Sequence, residues 1–255
     1  MAIGHFSLKI APVLLLAAPL SATTIEEILA RVQANTGQFE KSLPDFVCDE
    51  KITSTALHKG KRTEAVIESH FVGLQEKSGK MFFTERREIV SVNGKPARPG
   101  ERLKGPFLFA GGYSSILDNT FAEKNVPSHT YTFGGEERLG MRGALVIEFA
   151  TRKGQKTLYM DANGKAYAEN DTGKAWIGKD SFELLRLERQ FHNVPKRVAP
   201  IVVTIEYGEV RIGDRPFWMP LKVMAEESSS QGEYLAEYTN YRKFDVSAGI
   251  VYEEK

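Results

Sequence analysis

The stretch DANGKAYAENDT, residues 161–172, opens like a calcium-binding loop, with Asp161 and Asn163 offering side-chain oxygens two positions apart. It then fails as one: Gly164 arrives too early, and Thr172 stands where a bidentate glutamate is required. Beyond the leader described below there are four histidines, His58, His70, His129 and His192, and none is at a metal-ligand spacing from another. Each reads as a surface or strand-edge residue. Glu136-Glu137 and Glu226-Glu227 are adjacent carboxylates, which on a strand point to opposite faces and cannot share a reaction centre. No G-x-S-x-G elbow, P-loop or G-x-G-x-x-G pattern occurs. Cys48 is the sole thiol and cannot form an internal disulfide. In LPDFVCDEK it shares a strand face with Phe46 and reads as a small buried filler. The expectation is a protein that is not an enzyme and needs no metal or other cofactor.

The residues that do stand out are apolar. GPFLFAGGYSSIL, residues 105–117, places Phe107, Leu108, Phe109, Tyr113, Ile116 and Leu117 on a glycine-punctuated backbone. Leaving the larger ones wet costs about 1.5–3 kcal/mol each, while Gly105, Gly111 and Gly112 raise the entropy of fixing them. These six are the candidate ligand-binding residues. Periodicity leaves two readings open, a loop tucked on the core and a flap over an apolar cavity.

The elements that must position them begin with a leader. MAIGHFSLKIAPVLLLAAPLSATT shows Lys9, an apolar run over 10–20 and small residues at Ser21-Ala22, the layout of a secretory signal peptide. The run is short of the roughly 20 residues of a spanning helix and contains Pro12 and Pro19. Cleavage is expected after Ala22, leaving residues 23–255 as one soluble periplasmic or secreted domain without a transmembrane segment. Removing 1–22 takes one lysine and no acid, so 33 basic residues face 33 acidic ones. That balance gives no basic stripe for nucleic acid.

TTIEEILARVQANTGQFEKSLPDF then reads as one amphipathic helix over 24–42, with Thr23 or Thr24 capping and Pro44 ending it. Ile25, Ile28, Leu29 and Val32 repeat at helical spacing. From there the rhythm is period two. Ala65, Ile67 and Phe71 alternate with polar residues, as do Leu145, Ile147 and Phe149. Asn93-Gly94 and Asn163-Gly164 mark hairpin turns, and a break falls near Gly178-Lys179-Asp180. In PFWMPLKVM, Phe217, Met219, Leu221 and Val223 face one way, and Trp218 and Met224 the other. The fold class expected is mainly β. It is a strongly curved antiparallel sheet, an open half-barrel of about ten or eleven strands, with the N-terminal helix and a short helical lid segment at 105–119.

SLPDFVCDEKIT, GPFLFAGGYSSILDNTF and ERLGMRGALVIEF resemble a group of exported bacterial proteins of unassigned function. GKAWIGKDSFELLRLER and the closing strands to YTNYRKF resemble the outer-membrane lipoprotein-sorting (LolA/LolB-like) superfamily over residues 165–245. The resemblance implies an open, curved half-barrel lined with apolar residues and lidded by helices. It carries over no ligand residue, because no motif aligns position by position. Fold alone does not give function. The reading is a carrier or sensor of a lipid or lipoprotein acyl chain, with a cell-envelope protein-interaction module and, third, a hydrolase as alternatives.

Overall fold

The computed structural model describes residues 24–75, 83–109, 120–160, 166–192 and 200–244. The leader, the turn at Asn163-Gly164, and Tyr113, Ile116 and Leu117 lie outside the described residues. Helix α1 spans Ile25–Ser42. Thr24 caps it through its hydroxyl, which accepts from the Glu27 N–H, while the Glu27 carboxylate accepts from the Thr24 N–H. This reciprocal box satisfies two otherwise orphaned donors. Ile28 and Val32 form the buried stripe, and Leu43 and Pro44 stop the helix.

Twelve strands follow: β1 (Phe46–His58), β2 (Lys61–Gln75), β3 (Phe83–Val92), β4 (Lys95–Pro96), β5 (His129–Leu139), β6 (Arg142–Thr151), β7 (Thr157–Met160), β8 (Ala166–Gly178), β9 (Leu184–His192), β10 (Ile201–Ile212), β11 (Arg215–Glu227) and β12 (Gly232–Lys243). Eleven make one open, curved antiparallel sheet in the order β4-β3-β2-β1-β12-β11-β10-β9-β8-β6-β5, and β7 adds to β8 off this path. Asn93 and Gly94 take positive φ at the β3–β4 turn, as the Asn-Gly pair predicts.

Alternation decides the faces. Phe46, Cys48 and Ile52 of β1, Ile67 and Phe71 of β2, and Ile147 and Phe149 of β6 all point to the inner face, which α1 helps to cover. The outer face has its own smaller apolar cluster, in which Ala144, Val146, Trp176 and Leu185 meet Trp218. Its cover is cationic: the guanidinium of Arg142 lies 4.8 Å from the Trp218 ring centroid and that of Arg186 5.1 Å from Trp176. This accounts for strands apolar on both sides.

One row departs from expectation. Leu221 is 38% exposed, because the register shifts where Glu206 pairs with Lys222 but Tyr207 pairs with Pro220. The bulge leaves Leu221 unpaired and lays its side chain over Gly208.

Cys48 is fully buried between Phe46 and Glu50 on β1, and burial together with the charges of Glu50 and Asp49 pushes its thiol pKa far up. A thiol reagent is therefore expected to label the native protein only on the timescale of unfolding, and fast labelling of folded protein would contradict this packing.

Candidate functional site

Residues 105–109 are irregular rather than helical, and they lie on the inner face. Phe107 and Phe109 are 3% and 7% exposed and belong to the continuous core, while Leu108 is half-buried against it. What ties them down is a single side chain. The Ser54 hydroxyl on β1 accepts from the Phe107 N–H at 3.0 Å and donates to the Phe107 carbonyl, reproducing a sheet bridge without a strand. The Phe107 ring fills the space where a Cβ on Gly232 would stand, 2.7 Å away. Phe109 meets Tyr234 edge-on at 6.4 Å between centroids. Gly105 is needed for the approach, since a Cβ there would come within 2.8 Å of the Ser54 oxygen.

Two buried polar clusters interrupt the same face. Glu50 is sealed from solvent; Ser69 donates to its Oε2 at 2.7 Å, and the Arg87 Nε donates to it at 2.8 Å. Arg87 also reaches Glu85 at 3.2 Å and stacks over Phe71. Burial opposes the Arg87 charge, but Glu50 more than offsets it and holds the guanidinium protonated.

The second cluster joins four strands. Arg189 of β9 donates from Nε and Nη2 to Asp171 Oδ2 on β8, at 2.9 and 2.6 Å. The Thr151 hydroxyl at the end of β6 donates to Oδ1, and accepts from the Asp171 N–H at 2.8 Å. His129 of β5 sets Nε2 2.9 Å from Oδ1 and Nδ1 2.9 Å from the Asn125 carbonyl. Burial alone would raise the Asp171 pKa; the His129 hydrogen bond, the Arg189 charge and Thr151 outweigh it and hold the carboxyl well below the usual range.

His129 is thus on the edge strand, as read from the sequence, but it is buried and not a surface residue. Its side chain is 2% exposed and that of Asp171 0%, so the pair has no face open to a substrate. The cluster fixes the segment before β5, with Tyr131 donating from its hydroxyl to the Thr120 carbonyl at 2.6 Å. His58 and His70 are exposed and His192 half-buried. Glu226 is exposed and Glu227 buried, opposite faces as expected. Among the described residues, no three of His, Cys, Asp and Glu come together as a metal site.

The inner face is closed at its other end by α1. Beneath the helix is a cleft of about 40 Å³ lined by Val32, Phe39, Phe182, Leu184, Tyr207 and Trp218, with Asn35, Thr36 and Glu183 at its rim. Burial pushes the Glu183 carboxyl up. A larger hollow of about 420 Å³, bordered by Arg62, Gln190, Val202, Glu226 and Glu233, is polar. The apolar inner face is filled by the protein's own residues.

Sequence reasoning placed Phe107, Leu108 and Phe109 together and missed Ser54, Tyr234 and both ionic clusters. A signal for the clusters was present: Glu50 falls in the inward row of Phe46, Cys48 and Ile52, and Arg189 in that of Leu187 and Phe191.

No family model matches the chain, and no curated protein does. Similar solved structures include a DUF1329 family protein from Desulfovibrio piger, at 13% identity and a TM-score of 0.46, covering 90% of this chain and 97% of that one. A proposed outer membrane lipoprotein-sorting protein domain from Vibrio parahaemolyticus is similar at 11% identity and a TM-score of 0.45, covering 88% and 94%. A LolA superfamily protein from Nitrosomonas europaea follows at 14% and 0.38, covering 88% and 96%. In fold, the chain resembles the LolA-like superfamily.

Proposed function

We propose that this protein is an exported, non-enzymatic carrier or sensor of an apolar ligand, a lipid or a lipoprotein acyl chain, bound on the inner face of the sheet. The leader over 1–22 is removed and residues 23–255 act as one periplasmic unit. Among the described residues no helix is long and apolar enough to cross a membrane.

The observation that carries this reading is the seating of Phe107, Leu108 and Phe109. They fill an aromatic-lined part of an open sheet, and they do so from irregular backbone joined to β1 by one hydroxyl. An acyl chain offers the same apolar contact as these side chains. It takes their place, and Phe107, Leu108 and Phe109 then pack around it.

Ser54→Ala tests the exchange. Losing the bridge weakens the seated state by about 1 kcal/mol, and a ligand that must displace the segment then binds about fivefold more tightly. Titration with a fluorescent acyl probe measures this. Equal affinity in wild type and variant means the segment stays put. A wild type that binds no probe but retains a single envelope protein from a periplasmic extract favours the interaction-module reading instead.

A further inference from the structure

The turn from β8 to β9 breaks a local rule. Its backbone closes with the Gly178 N–H donating to the Glu183 carbonyl and the Phe182 N–H donating to the Gly178 carbonyl, both at 2.8 Å. Phe182 then takes φ +56°. That left-handed position at the end of a turn belongs to glycine or asparagine, and a bulky aromatic there is an outlier. Residues forced into such conformations persist where the surroundings over-determine them, and they cluster at clamps and switches. A glycine would fit without strain, so the side chain is the reason.

That side chain reaches under α1. The Arg31 guanidinium lies 4.5 Å from the Phe182 ring centroid. One helical turn on, the Asn35 side-chain amide donates to the Ser181 carbonyl at 3.0 Å. Two positions four apart on one helix therefore grip a single turn. The ring borders the cleft, with Val32 and Phe39 of α1 on one side and Leu184 and Tyr207 of the sheet on the other. At about 40 Å³ the cleft is too small for an acyl chain while the ring is in place.

We infer that this cleft is the mouth through which an apolar chain reaches the inner face, and that Phe182, clasped by Arg31, is the gate that closes it. The strain at Phe182 biases the gate toward release: swinging the ring outward relaxes the backbone, frees α1 to lift, and joins the cleft to the core. Arg31 and Asn35 supply the opposing grip. The inference rests on the carrier reading for its ligand, but the gating motion itself is measurable without one.

The experiment places a reporter thiol in the cleft, as Val32→Cys in a Cys48→Ala background, and follows its labelling by a maleimide under native conditions. Phe182→Gly removes the ring and the strain; Arg31→Ala removes the grip from an exposed helix position and leaves the fold intact. Each is expected to speed labelling by about tenfold, the scale of a lost cation–π contact, with the denaturation midpoint of Arg31→Ala unchanged. Phe182→Tyr, which keeps a ring, should label at the parent rate. The same Phe182→Gly and Arg31→Ala changes should speed association of the acyl probe by a like factor, with affinity moving less than association. Unchanged labelling in both variants overturns the gate, even where the probe binds. Faster labelling in a protein that binds no probe leaves the gate standing and removes the carrier reading.

Discussion

Asp171→Asn is expected to destabilise the protein by about 3–5 kcal/mol, the range for removing one partner from a buried ion pair. The carboxylate accepts from Arg189, Thr151 and the side facing His129, with both oxygens in use. Asparagine keeps one oxygen and turns a donor toward either the guanidinium or the imidazole, leaving a buried cation without its acceptor. For a domain of this size each kcal/mol shifts Tm by about 2–4 °C, so thermal and urea denaturation both resolve the loss. The sign of the pH dependence follows from the depressed Asp171 pKa. Its contribution is complete above the ordinary value of 3.8 and is lost as pH falls through the folded-state value. Wild type and variant should therefore differ most near neutrality and converge in acid. A variant within 1 kcal/mol of wild type at pH 7 would show that the cluster is not holding these strands together.

Gly173→Ala is the second large effect. Gly173 of β8 lies between Phe149 on β6 and Arg189 on β9. A Cβ there would stand 2.0 Å from the Glu188 carbonyl oxygen and 2.5 Å from the Phe149 ring. The ring crosses β8 because no side chain is in the way, and the neighbouring backbone cannot retreat without giving up its ladder. A loss of about 3 kcal/mol, at the upper end of overpacking costs, is expected. Gly208→Ala provides the contrast, because the contact there, at 2.5 Å, is the tip of the exposed Leu221 side chain, which can rotate away. Comparing denaturation midpoints of the two variants decides the matter: equal losses would mean that β8 yields as readily as a surface leucine.

How far the fold was legible depends on whether the governing contacts are local. The α1 cap is written in four consecutive residues, Thr24 to Glu27, and the turn at Asn93-Gly94 in two; both are as read. The inward rows of β1, β2 and β6 follow from period two alone. Leu221 was misplaced because a bulge is a relation between β10 and β11, invisible along either strand. The ionic clusters escaped for the same reason: Glu50 and Arg87 are 37 residues apart, Asp171 and His129 42. Phe182 was passed over because a broken turn rule is visible only once φ is known. For the candidate site, the greasy composition of 105–109 was plain, but what it rests on came from β1 and β12.

The middle of the sheet is made by the pairing of β1 with β12, Phe46 opposite Lys243. The first strand thus waits for the last one. As the chain is threaded across a membrane from its N-terminus, β1 to β4 can form a meander, but its exposed β1 edge has no partner until almost the whole polypeptide has been delivered. Loop closure over such a separation is slow compared with local pairing. The connectivity keeps the chain unfolded, and so translocatable, for as long as any part of it remains on the near side.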